Sequence, residues 1–242
     1  MERALDHLAW SDLPELFPEF PQSDLWVPKL RLHAELLEAA EPRVRVTSVS
    51  PPEAVRRHYA ESLEILRLMV AAEPSTLDGF VDIGSGGGFP GLVAAAVLPE
   101  AQVVLVEPLQ KRARLLESLA TRLGLVGVTV RAERAEEAGR GELRGGIAAV
   151  TARAVARIPV LLEYCAPILS VGGLLALPRG SSASDDVSEG ADAAEVLGLR
   201  FDLLQPMRCE ISDHGALAIY RKIERTPDRY PRRPGMPQKR PL

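Results

Sequence analysis

The stretch VDIGSGGGFPG, residues 81–91, decides how the rest of the chain is read. It starts on a short apolar run, residues 80–83, and passes into a turn with glycine at positions 84, 86 and 88. Glycine lets a backbone turn tightly and lie close to a ligand, because no Cβ stands in the way. Phe89 and Pro90 then open a helix. Proline suits a first helical turn, where its missing N–H has no partner to lose. Strand, glycine turn and helix in this order form half of a βαβ unit. In an open α/β sheet, ligands settle beyond the carboxyl ends of the strands, where such a turn lies.

Outward from this turn the pattern repeats. Six further apolar runs follow, at 102–107, 127–132, 147–152, 173–178, 201–207 and 216–222. Helical stretches are expected at 90–98, 110–123, 135–140, 159–169 and 185–197. Alternation of strand and helix predicts a parallel sheet covered on both faces, and continuous apolar runs suit strands buried on both sides. The last two runs are joined by a short polar segment without a helix, which predicts an antiparallel hairpin. The expected fold is α/β, with a seven-stranded, mostly parallel sheet closed by a C-terminal antiparallel hairpin. This architecture resembles the Rossmann-like class I S-adenosylmethionine-dependent methyltransferases.

Upstream of the turn, residues 1–28 are rich in Pro, Asp and Glu and show little periodicity. A short helix is expected at 29–40. A stronger one opens at Pro51 and Pro52, with Val55, Tyr59, Leu63, Leu66 and Val70 on one apolar stripe. The expected division is a helical N-terminal extension at 1–74, a cofactor-binding domain at 75–224 and a basic tail at 225–242.

The 242 residues suit one domain with small extensions, and 46% apolar residues suffice for a core. No apolar run reaches the roughly 18 residues that span a bilayer. The proline-broken acidic start does not read as a signal peptide. Cys165 and Cys209 lie far apart, so neither a metal site nor a disulfide framework is expected. These features point to a cytoplasmic protein without a membrane partner, and a monomer is expected. The net charge of −4 hides an asymmetry, because residues 221–242 carry eight Lys/Arg against two acids. A basic arm on an acidic body attracts polyanions by releasing counterions. The alternative is a solvated tail.

The candidate site is built around Gly84, Gly86 and Gly88. Asp82 precedes the turn and has two open roles, holding the cationic end of a cofactor or bracing the glycine loop. Glu107 ends the second strand, where an acid accepts hydrogen bonds from ribose hydroxyls; a surface glutamate is the plainer reading. Ala135 and Glu136 follow the third strand, where the Ala135 backbone and the Glu136 carboxylate can read an adenine edge. Glu136 also suits a first helical turn by its charge alone. Arg153 follows the fourth strand, and its planar fork can hold a carboxylate or a phosphate. A structural salt bridge is the alternative. Arg157 and Arg179 lie on the same rim.

These residues together resemble one family. The turn VDIGSGGGFPG, RRHYAESL at 56–63, RAE at 134–136, ARAVA at 152–156 and the tail YPRRPGMPQKRPL at 230–242 are similar to the RsmG (GidB) family. The resemblance implies S-adenosylmethionine as cofactor and methylation of guanine N7 in 16S ribosomal RNA, on naked rRNA or a small-subunit precursor. It implies cofactor contacts at Gly84, Phe89, Glu107, Ala135, Glu136 and Arg153, with Arg153 nearest the chemistry. It implies RNA-facing roles for His58, Arg153, Arg179, Arg232, Arg233 and Lys239. Other readings stay open: a methyltransferase for another RNA or a small molecule, an NAD-binding protein, and a cofactor binder without catalysis.

Overall fold

The computed structural model describes residues 8–41, 43, 44, 46 and 49–242. Seven strands form one sheet: β1 (Gly79–Ile83), β2 (Gln102–Val106), β3 (Val128–Arg131), β4 (Ile147–Ala152), β5 (Leu169–Arg179), β6 (Leu199–Pro206) and β7 (Ala216–Lys222). Their order across the sheet is β3-β2-β1-β4-β5-β7-β6. β1 to β5 pair in parallel, while β7 runs antiparallel to both β5 and β6. The expected hairpin is therefore present, with β7 inserted between β5 and β6.

Strand residues alternate between the two faces, so each of the five inner strands feeds two cores. Phe80, Val103, Leu105, Ala149, Leu174, Ala176, Leu217 and Ile219 face one core. Val81, Ile83, Val106, Val150, Ala152, Leu175, Leu177, Ala218 and Tyr220 face the other. The first core is closed by α2 (Ser23–Ala40), α4 (Glu61–Ala72), α5 (Gly91–Val97) and α6 (Gln110–Arg122). The second is closed by α7 (Ala135–Ala138), α8 (Ile158–Cys165) and α10 (Ala191–Val196). The carboxyl ends of β1, β2 and β4 meet at one edge, where the glycine turn lies.

Several boundaries differ from the sequence expectation. The helix expected at 29–40 begins at Ser23 and contains Pro28. The proline reads as a helix start, yet the helix carries it internally because Trp26, Leu30, His33 and Leu37 bury one stripe against the sheet domain. Residues 8–28 are likewise not featureless. Leu13, on the one-turn helix α1 (Leu13–Leu16), joins Phe17 and Phe20 in the first core. The helix expected at 159–169 ends at Cys165, and β5 starts at Leu169. Gly172 and Gly173 weaken the strand signal, and pairing with β4 supplies what the local sequence lacks. The helix expected at 185–197 is two, α9 (Ala183–Glu189) and α10, separated by Gly190. A Cβ at Gly190 would lie 2.4 Å from Ile158 Cγ2, so α9 and α10 pack closely on α8 there.

The run from Pro51 to Ala72 is continuous but not uniform. α3 (Pro51–Ala54) leads into a π-helical turn, Val55–Ala60, and then α4. Wide turns of this kind are uncommon and gather at functional sites. Here the turn carries Arg57, His58 and Tyr59.

The tail is docked. Tyr230 is buried in the second core, and Arg144 donates to the carbonyls of Thr226 and Tyr230. A last short helix, α11 (Met236–Lys239), packs against α8.

Candidate functional site

The glycine turn has the backbone that its sequence requires. Gly84 and Gly86 hold φ of 74° and 54°, in the left-handed region that side chains disfavour. A Cβ at Gly84 would lie 2.5 Å from Val155 Cγ2, so the fourth-strand loop packs directly on this residue. A Cβ at Gly86 would come no nearer than 3.8 Å to a described atom, the Gly84 carbonyl oxygen. Gly88 is also left-handed, with φ of 93°. The Gly84 N–H donates to the Val106 carbonyl at 2.8 Å, tying the turn to the second strand.

Two carboxylates flank the turn. Glu107 is buried, and its Oε2 accepts the Gly86 N–H at 3.1 Å. Its Oε1 accepts the Leu109 N–H at 2.9 Å. Each oxygen keeps a free lone pair after these bonds. Asp82 is fully buried and accepts the Gly91 N–H at the start of α5 at 3.1 Å. Of its two open roles, the geometry displays the brace. Its other oxygen, Oδ1, has no hydrogen-bond partner among the described residues. Burial pushes the Asp82 carboxyl up to about 7.

Gly84 lines two cavities. The smaller, about 120 Å³, is walled by Val106, Pro108, Ala135, Glu136, Val155 and Tyr164. The larger, about 560 Å³, includes Arg57, His58, Glu61, Phe89, Arg153 and Arg179 in its walls. Ala154, between Arg153 and Val155, lies at φ 56°. A non-glycine residue held in this region is a local strain of the kind found at functional sites.

Arg153 is held by the π turn and by the start of α4. It donates from Nη2 to His58 Nδ1 at 2.9 Å and from Nη1 to the Arg57 carbonyl at 3.2 Å. Glu61 Oε2 stands 3.3 Å from Nη1. Because arginine only donates, His58 Nδ1 accepts, and the imidazole proton sits on Nε2. Burial, and then the neighbouring Arg153 charge, lower His58 to about 4, so the ring is neutral at pH 7. Its ring stacks on Phe89 at 4.4 Å, and the guanidinium of Arg153 lies 5.6 Å from the same ring. His58, Phe89 and Arg153 thus form one wall.

Other expected residues are placed differently. Glu136 lines the smaller cavity, but its Oε1 accepts the Gly235 N–H of the tail at 2.8 Å. Arg179 lines the larger cavity and is paired with Asp186 at 2.6 Å. Arg157 pairs with Glu189. Arg232 turns inward, where its guanidinium and backbone N–H are both taken by the buried Glu163. Arg233 and Lys239 are exposed, and their side chains make no ion pair or hydrogen bond with the described residues. Among the described residues, no group of His, Cys, Asp and Glu could hold a metal ion. No described helix is long and apolar enough to cross a membrane.

Comparison with known proteins gives this site a family. A model of GidB, rRNA small subunit methyltransferase G, matches residues 27–207. The chain belongs to the GidB family. It is 36% identical over 219 residues to Ribosomal RNA small subunit methyltransferase G of Desulfitobacterium hafniense, covering 89% of each chain. It is 39% identical over 214 residues to the protein of that name in Roseiflexus, covering 88% of this chain and 89% of the relative. Solved structures share the fold at low identity. A SAM-dependent O-methyltransferase from Thermotoga maritima has a TM-score of 0.51 at 20% identity, over 79% of this chain and 72% of the other. A SAM-dependent methyltransferase from Aquifex aeolicus has a TM-score of 0.55 at 11% identity, over 79% and 98%.

The cofactor of this GidB chain is S-adenosylmethionine, and the residues present fit it. The cradle needs glycine at 84, a buried carboxylate with spare lone pairs closes one side, and cavities open on both sides of the turn. Gly84, Gly86 and Glu107 would hold its centre, with Ala135 and Tyr164 at the smaller cavity and Phe89 and Arg153 at the larger. Three participants escaped the sequence reading. His33 sits on the buried stripe of α2, and a polar residue among Trp26, Leu30 and Leu37 was the available signal. Glu61 carried no local mark of its pairing with Arg153. Glu163 reads as an ordinary helical glutamate until its fully buried side chain is seen beside Arg232.

Proposed function

We propose that this S-adenosylmethionine-dependent methyltransferase of the GidB family acts on N7 of a guanine in 16S ribosomal RNA. The reading includes work in the cytoplasm as a monomer, with the extension (1–74) and the tail (225–242) serving the central domain (75–224). The observation that carries it is the larger cavity beside Gly84, walled by an aromatic ring and by arginines 57, 153 and 179. Such a chamber suits an unstacked base attached to a phosphate backbone.

When bound, the cofactor supplies an electrophilic methyl group on a sulfonium. Guanine N7 has an in-plane lone pair and attacks without losing a proton, so the chain needs alignment rather than a general base. A guanidinium bonded to N7 would occupy the attacking lone pair. The role assigned to Arg153 is therefore a contact to guanine O6 or to a phosphate. Its anchors on His58 and the Arg57 carbonyl fix the guanidinium before the RNA arrives. Methylation leaves a positive charge on the base, and Glu61 is a carboxylate in the same wall. His58, neutral at pH 7, acts as a fixed dipole and a stacking partner for Phe89. The Arg179 and His58 contacts to RNA belong to this reading, as do those of Arg233 and Lys239 on the outer face of the tail.

Mass spectrometry of small-subunit rRNA from cells with and without the chain tests the proposal. The expected result is one guanine that loses a methyl group when the chain is absent. An unchanged methylation pattern would refute it.

A further inference from the structure

The glycine turn is pinned at three places. The Gly84 N–H is held by the Val106 carbonyl, and the Gly86 N–H by Glu107. The third pin comes from outside the sheet domain. His33, on α2 of the N-terminal extension, places its Nε2 2.9 Å from the Gly87 carbonyl. Its Nδ1 lies 3.2 Å from the Tyr59 hydroxyl. A carbonyl only accepts, so the imidazole proton sits on Nε2. The Nδ1 lone pair then accepts from the Tyr59 O–H. The same peptide unit is gripped at its other end, where the Gly88 N–H donates to the Ser85 carbonyl at 2.7 Å. The plane between Gly87 and Gly88 is therefore fixed from both sides.

We propose that His33 is a positioning residue for cofactor binding, and that the N-terminal helix is thereby part of the cofactor site. Three consecutive glycines carry large backbone freedom, and an unpinned turn must lose it when ligand binds. A turn already held in place binds more tightly because that cost has been met in folding. His33 is buried, and burial lowers it to about 4, so the imidazole stays neutral and keeps both bonds at pH 7. It also packs 5.2 Å from the Phe89 ring, next to His58 and Arg153. The inference rests on the methyltransferase reading.

Calorimetric titration with S-adenosylhomocysteine on the full chain and three variants tests it. His33→Leu keeps bulk and loses the donor; affinity should fall about three- to tenfold, the worth of one buried hydrogen bond. His33→Gln keeps a donor where Nε2 sits and should bind within about twofold of the parent. Leu30→Ala, buried on the same helix, should lower the melting temperature and leave affinity unchanged. Equal binding by His33→Leu and the parent would overturn the inference alone. So would a loss in Leu30→Ala matching that in His33→Leu. If His33→Leu does not fold, a His33→Gln variant that folds but binds more than tenfold weaker overturns it equally. A parent chain that fails to bind S-adenosylhomocysteine overturns the methyltransferase reading itself.

Discussion

Replacing Arg232 by alanine should unseat the tail. Glu163 has no exposed surface, and its two oxygens receive Arg232 Nε, Nη2 and backbone N–H between 2.5 and 3.0 Å. Removing one partner of a buried ion pair strands the other charge, which costs roughly 3–5 kcal/mol. The Arg232 side chain is 25% exposed, so part of the charge is already screened by water. A loss of about 2–4 kcal/mol is the reasonable range. For a chain of this size that lowers the melting temperature by roughly 4–16 °C. Local opening offers an escape, since an undocked tail lets water reach Glu163. Limited trypsin digestion should then cut after Arg229, which is followed by Tyr230, faster in Arg232→Ala than in the parent. Arg233→Ala, one residue on, removes an exposed cation without an ion pair and should change stability by no more than about 0.5 kcal/mol. Unchanged melting and digestion in Arg232→Ala, or equal effects of the two substitutions, would refute the reasoning. Because the tail also holds Glu136 through the Gly235 N–H, cutting off 225–242 would disturb the smaller cavity as well as any RNA contact.

Other consequences can be measured directly. Arg153→Ala should keep the fold but lower methyl transfer by about a hundredfold, the usual effect of poor alignment; undiminished transfer would contradict its role. Gly84→Ala should abolish measurable S-adenosylhomocysteine binding, and adding Val155→Ala should restore only part of it, since the 2.5 Å clash goes but the φ of 74° remains. His33 and His58 are lowered from 6.5 to about 4, so the unfolded chain binds more protons between these values. Their contribution to stability should therefore fall as pH drops from about 6.5 to about 4. Asp82 works in the other direction. Raised from 3.8 to about 7, it holds its proton in the fold, and its contribution is lost as pH rises through that window. Urea denaturation from pH 4.5 to 7.5 should show a shallower acid-side loss in His33→Gln and a smaller alkaline-side loss in Asp82→Asn; parallel curves would refute both. Arg233→Glu with Lys239→Glu should weaken RNA binding and reduce its salt slope by about one unit per residue, leaving S-adenosylhomocysteine affinity intact.

The strand runs, their alternation with helices and the glycine turn were legible because they are local. A run such as QVVLV can satisfy its backbone and bury its side chains in only a few ways, and a turn at φ of 74° selects glycine whatever surrounds it. The sheet order was not among the sequence expectations, because which strands pair is a long-range choice; the local pattern reached only the parallel strands and the closing hairpin. Boundaries were less legible, as with Pro28 inside α2 and the early start of β5, where tertiary burial outweighed local propensity.

The use of each charged residue was settled by the folded chain alone. Nothing in the tail's composition distinguishes Arg232, which is locked to Glu163, from Arg233, whose exposed side chain has no partner among the described residues. His33 meets Gly87 across 54 residues, Arg153 meets His58 across 95, and Glu136 meets Gly235 across 99. Local chemistry dictates which backbone a segment adopts. Whether a cation faces solvent, a carboxylate or a cofactor depends on which distant group the packed core sets beside it.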